Sequence, residues 1–245
     1  MRSPILRSKN LLIRAVVRTD AGCVRRNNQD NSGFTFLQGS KNDFIAVLAD
    51  GMGGYERGEE ASEAMVRTVC TDPHQKIGKN PKRWLLELFK KANSHIYALS
   101  RQYRATMGTT CSTLLIWRKN LWCAHIGDSR IYLLSKEKLT QLTCDHKVAA
   151  TSSVLTKAIG TSPHIEPDIF KLNTPVQNGD RFLLCSDGLY DLVSDAEIFS
   201  LFSQKSLRKA AASLIDAAKG YGGHDNITVL LVEITEKTAA EHDES

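Results

Sequence analysis

The chain has 245 residues, 42% hydrophobic and 24% charged, ordinary values for a globular protein with a core large enough to need no disulfide or metal staple. Its net charge of +5 comes from 32 basic residues scattered among 27 acidic ones, without the basic stripe and interleaved aromatics of a nucleic-acid binder. No run of about 18 apolar residues is present, so neither nucleic acid nor a membrane is an expected partner.

Alternation in Ile13, Ala15, Val17 and Thr19 predicts a first strand, and residues 33–37 and 44–49 predict two more around the turn-rich 39–42. The period then changes. Ala61, Ala64, Met65, Thr68 and Val69 fall at helical spacing over 57–70. Pro81 opens a second helix whose apolar face is Trp84, Leu85, Leu88, Ala92, Ile96, Leu99 and Tyr103. Strands return at 111–117 and 121–126, joined by the turn 118–120, and at 131–134. Residues 138–163 read as polar and irregular. Strands are expected at 165–172 and 180–185, helices at 194–202 and 207–219, and a last strand at 227–234. Short hairpin connections without βαβ alternation favour antiparallel sheets over a doubly wound parallel one. One domain is expected over 1–236, with a disordered acidic tail over 237–245.

The six cysteines, at 23, 70, 111, 123, 144 and 185, form no C-x-x-C pair and no zinc-finger spacing with histidine. The basic N-terminal stretch is interrupted by Arg14 and lacks a small-residue cleavage site, so it does not read as a signal peptide. A reducing cytoplasm is the expected location.

The informative pattern is where the aspartates fall. Apolar runs end in Asp50-Gly51, in Gly127-Asp128 and in Ser186-Asp187-Gly188, with Asp191 four positions on; Asp225-Asn226 immediately precedes the last strand. Each rigid run carries a carboxylate at its tip. Carboxylates held together raise one another's pKa, and the usual compensation is a divalent cation; all-oxygen ligation selects Mg²⁺ or Mn²⁺ over zinc. The competing reading is simpler, because Asp-Gly is also the commonest turn dipeptide. Gly51 to Gly54 would form a flexible elbow, and Arg25 is suited to bidentate phosphate contact. His125 reads as a hydrogen-bonded core residue, His146 and His164 as loop residues, and Trp84, Trp117 and Trp122 as packing.

At these residues the chain resembles the metal-dependent protein phosphatase family (protein phosphatase 2C, or PPM), in particular its compact bacterial members. The matching stretches are Val24 to Asp30, Ala49 to Gly54, Met107 to Thr110, Ile126 to Arg130, Cys185 to Asp191 and Gly223 to Thr228, six in the family's order. The resemblance implies an α+β fold: a four-layer α-β-β-α sandwich, two central antiparallel sheets flanked by helices, with metals at one end between the sheets. It implies a serine/threonine protein phosphatase using two Mn²⁺ or Mg²⁺ ions. Asp50 would bridge them, Asp187 and Asp225 would complete the first, and the Gly51 carbonyl would help hold the second. Asp128, Asp187 and Asp191 would surround a weaker third ion, Arg25 would grip the substrate phosphate, and Asn226 would support the ligands. The implied partner is a phosphorylated protein, a Ser/Thr kinase or its targets, met by a monomer. The same fold could serve as a non-catalytic partner-binding module or as a small-molecule phosphatase; the retained Asp50, Asp128, Asp187, Asp191 and Asp225 speak against the former.

The chain departs from the family pattern in three places. Gln29 stands where Glu is frequent, Tyr55 where many members have His, and Lys157 where Arg is typical. The segment from Lys147 to Val154 is also short, which predicts a cleft open and shallow on that side.

Overall fold

The computed structural model describes residues 11–37, 43–52, 57–71, 77–78, 80–149 and 152–236. The turn at 39–42, Tyr55 and the acidic tail lie outside these residues. Two five-stranded antiparallel sheets stack face to face. One has the order β1 (Leu11–Asp20), β10 (Ile227–Glu236), β9 (Arg181–Cys185), β6 (Arg130–Ser135), β7 (Lys138–Gln141). The other runs β2 (Asp30–Phe36), β3 (Phe44–Asp50), β4 (Cys111–Trp117), β5 (Asn120–Ile126), β8 (Asp168–Lys171).

The layering follows from strand periodicity. In β3, Phe44, Ala46 and Leu48 point between the sheets, while Ile45, Val47 and Ala49 point outward beneath α1 (Gly58–Thr71) and α2 (Pro81–Tyr103). In β10, Leu230, Val232 and Ile234 face inward, while Ile227, Val229 and Leu231 face α4 (Asp195–Phe202) and α5 (Leu207–Gly220). Both sets are apolar because both faces are covered. Each fully buried Leu, Ile or Val contributes about 1.5–3 kcal/mol of transfer free energy. The result is the α-β-β-α sandwich implied by the sequence.

Local signals set the helix ends. Asn80 caps α2, its side chain accepting from the Arg83 amide at 3.1 Å, and Pro81 fills the first turn, where no amide is needed. Ser206 caps α5 by accepting from the Lys209 amide. The six cysteines are free thiols, and among the described residues no helix is long and apolar enough to cross a membrane.

Three elements differ from the sequence expectations. Residues 138–141 form β7, paired to β6 through a two-residue hairpin at Lys136 (φ 49°) and Glu137 (φ 61°). Hairpins of this left-handed kind normally announce themselves with Asn or Gly; a Lys-Glu turn gives no such signal. The strand expected at 165–172 is limited to Asp168–Lys171, and Asp187–Tyr190 forms a single helical turn, α3.

Candidate metal centre

Strand register brings the aspartates to one edge of the sandwich. Asp50 ends β3 with Asp30 directly opposite it on β2. Cys111 pairs with Ile126, so Gly127 and Asp128 leave β5 at that same edge. In the other sheet Cys185 pairs with both Val229 and Arg130, which puts Asp187, just past β9, beside Asp225, just ahead of β10. Ser186 joins the two edges: its Oγ donates to Asp30 Oδ2 at 2.7 Å and accepts from the Thr228 amide at 3.0 Å.

The two Asp-Gly pairs are not turns. Neither Gly51 nor Gly188 has a positive φ. A Cβ on Gly51 would lie 2.3 Å from the Gly58 carbonyl oxygen, and one on Gly188 would lie 2.1 Å from that of Asn226. Glycine is required there because backbone approaches backbone, so Gly51 is a tightly packed residue rather than an elbow.

Between the edges lies a cleft of about 410 Å³. Arg25, Asp50, Gly51, Asp128, Asp187 and Asp225 all line it. Asp191 does not: it stands exposed one turn beyond Asp187. Ser153, Val154 and Leu155 line it as well, so the short segment reaches the site. A bridge between Lys147 and Leu155, with the Val148 amide donating to the Val154 carbonyl at 3.0 Å, folds the segment back on itself.

The surroundings fix each side chain's backbone. Thr109 and Thr110 clamp Asp50: the Thr110 amide donates to its carbonyl at 2.8 Å, Thr109 Oγ1 donates to the same oxygen at 2.9 Å, and the Asp50 amide donates to Thr110 Oγ1 at 3.0 Å. This gives the Met107–Thr110 motif its role. Asn226 stitches the Arg25 loop to the β10 edge. Its Nδ2 donates to the carbonyls of Ala21 (3.1 Å) and Asn27 (2.9 Å), and its Oδ1 accepts from the Gln29 amide at 2.8 Å. Arg25 itself reaches across to Asp225, Nη2 to Oδ2 at 2.8 Å.

The cluster carries more negative charge than its side chains balance. Burial pushes Asp187 up to about 8, helped by Asp128 and Asp225, and raises Asp50 well above the carboxylate range, helped by Asp30 and Asp187. Asp30, whose Oδ1 is buried without a hydrogen-bond partner, is pushed up to about 6, again by burial. Among the described residues Arg25 pairs with Asp225 and Lys147 with Asp128, but no cation pairs with Asp30, Asp50 or Asp187. Nor do three carboxylate, thiol or imidazole side chains among them converge closely enough to enclose an ion by themselves. An ion here would complete its coordination from water and backbone carbonyls, the habit of Mg²⁺. Hard oxygen donors, a charge deficit and an orphaned buried oxygen fit divalent cations.

A family model described as protein phosphatase 2C matches residues 24–218. The chain belongs to the protein phosphatase 2C family. It is 35% identical over 244 residues to the serine/threonine phosphatase stp of Listeria monocytogenes, covering 89% of this chain and 95% of that protein. It is 33% identical to the protein phosphatase PhpP of Streptococcus pneumoniae, covering 90% and 97% of the two chains. The crystal structure of the catalytic domain of the serine/threonine protein phosphatase PstP in complex with two manganese ions superposes with a TM-score of 0.82 at 31% identity, covering 93% of this chain and all of that one.

The departures from the family pattern have local consequences. Gln29 turns to Glu59, Nε2 to Oε2 at 2.9 Å. Lys157 is drawn to Asp168, 3.5 Å away, rather than standing free. His146 is no open loop residue: its Nδ1 accepts from the Gly127 amide at 3.1 Å, which leaves the proton on Nε2, donated to Asp168 Oδ2 at 3.2 Å. It stacks on His125, which is fully buried and bonded to Ser112 and the Cys144 carbonyl. Two residues beside the site escape sequence reasoning. Asp30 ends the Val24–Asp30 motif but gains its meaning only from its register with Asp50. Lys147 lies in an irregular segment and carries no local signal.

Proposed function

We propose that the protein is a serine/threonine protein phosphatase working with two divalent ions, Mn²⁺ or Mg²⁺, at the Asp50, Asp187 and Asp225 edge. The observation that carries this reading is the pair of carboxylates, Asp50 and Asp187, held without a cationic partner in a cleft that Arg25 also enters. When bound, the ions supply Lewis acidity, turning water into a nucleophile near neutral pH and neutralising phosphoryl charge. The chain's own part is to hold the pieces in place. Asp50 and the Gly51 carbonyl are fixed by the threonine clamp, and Asp187 by the turn of α3. Protons held by Asp50 and Asp187 leave as cations bind, so cation affinity rises with pH. Arg25 gives its guanidinium to the phosphate as a bidentate donor.

The substrate is a phosphorylated protein, with a Ser/Thr kinase or its targets as partners, met by a monomer in the cytoplasm. The stp, PhpP and PstP names of its relatives support a phosphoprotein substrate over a small one. Initial rates on a phosphothreonine peptide and on a sugar phosphate, at equal concentrations with Mn²⁺ present, test this. The peptide should be hydrolysed far faster; the reverse order would make the protein a small-molecule phosphatase.

A further inference from the structure

The resemblance allots Asp128, together with Asp187 and Asp191, to a third ion. In the structure the Asp128 carboxylate already has a cation: Lys147 Nζ lies 2.9 Å from its Oδ2, and both side chains are only 6% exposed.

This ion pair is built into the fold. The residue before Lys147 is fastened to the loop that carries Asp128, the His146 amide donating to the Gly127 carbonyl at 2.8 Å and the Gly127 amide donating back to His146 Nδ1. His146 also accepts the Thr156 amide at 2.8 Å, which ties in the far arm of the segment. On the other side Tyr190 Oη donates to the Asp128 carbonyl at 2.9 Å, and its ring centroid lies 5.3 Å from Lys147 Nζ. The ammonium thus faces an aromatic ring and Asp128, with Asp187 and Asp191 close enough to act on it electrostatically.

A divalent ion on the Asp128 oxygen that Lys147 already holds would bring two more positive charges against that ammonium, in a largely buried pair where repulsion is less screened than in bulk water. It could enter only if Lys147 left its pocket and broke a buried pair, which is strongly unfavourable. We propose that Lys147 takes the place of a third divalent cation, so that the cleft binds two ions and Asp128 serves the built-in ammonium instead of a metal. This rests on the reading of Asp50, Asp187 and Asp225 as the holders of the two ions.

The test is the Mn²⁺ content of the folded protein, by equilibrium dialysis at millimolar Mn²⁺ and elemental analysis, with a thermal melt to confirm folding. The wild type should hold two ions per chain. Lys147→Ala and Lys147→Gln should hold three, the added one weak and lost again when Asp128→Asn is combined with Lys147→Ala. Lys147→Arg, which keeps the charge, should stay at two. A wild type holding three ions overturns the proposal whatever the variants do. So do folded Lys147→Ala and Lys147→Gln proteins that remain at two. A wild type holding fewer than two overturns the two-ion reading itself, and this inference with it.

Discussion

Asp30 and Asp50 stand directly opposite each other across the β2–β3 ladder, two carboxylates in register, of which Asp50 lines the cleft. Like charges placed directly across a pair of strands are destabilising. The arrangement persists in the fold because Ser186 holds one oxygen of Asp30 and the threonine clamp holds the Asp50 backbone.

The strain should be visible in the metal-free protein. Burial pushes the carboxyl of Asp187 up to about 8 in the folded state, against the ordinary aspartate value of 3.8 when unfolded. Between these values the native state binds the extra proton, so its stability falls as pH rises through the window and the full penalty is present above about 8. In chelator, Asp187→Asn should therefore melt higher than the wild type at pH 8, by several degrees (about 2–4 °C per kcal/mol), and level with it near pH 4. Equal melting temperatures at both pH values would contradict the raised pKa.

Asn226 makes a different contribution. Its side chain joins three backbone groups of the Arg25 loop to the β10 edge. Asn226→Ala leaves part-buried groups unpaired, each at a cost of about 1–3 kcal/mol. The melting temperature should drop by roughly 5–10 °C, and kcat/KM should fall as the loop loosens. An unchanged melt would show that water replaces these bonds freely.

Much of this was legible in sequence, for identifiable reasons. The runs in β3, β4, β9 and β10 are long, apolar and bounded, so their tips, and the aspartates on them, could be placed. What escaped depends on register or on distant contacts. Asp30 matters through pairing across β2 and β3. Lys147 matters through a partner 19 positions away on another loop. Asp-Gly carries the same letters whether it turns or packs, and only the approach of Gly58 and of Asn226 shows that here it packs. The short segment gave only the expectation of an open, shallow side; that its fold-back at Lys147 and Leu155 brings Ser153 to Leu155 to line the cleft depends on that distant pairing.

Asp187→Asn and Asp225→Asn should each cost about 10³-fold or more in kcat/KM, several kcal/mol of transition-state stabilisation, while the far-ultraviolet circular dichroism stays native. Asp225→Asn also removes the partner of Arg25. Near-normal turnover by either variant would remove that residue from the centre.

Arg25 should act mainly on binding. Arg25→Ala should raise KM for a phosphopeptide with a smaller change in kcat, and Arg25→Lys should restore it only in part, since an ammonium lacks the bidentate fork. The same KM in both variants and the wild type would reject the phosphate contact.

The central claim is that the carboxylate edge works through divalent cations. The direct measurement is the rate of phosphate release from a phosphothreonine peptide by the purified protein in EDTA, and after restoring Mn²⁺, Mg²⁺ or Zn²⁺. The account predicts no turnover in EDTA and recovery with Mn²⁺ or Mg²⁺. Full activity after exhaustive chelation, or activity with Zn²⁺ alone, would contradict it.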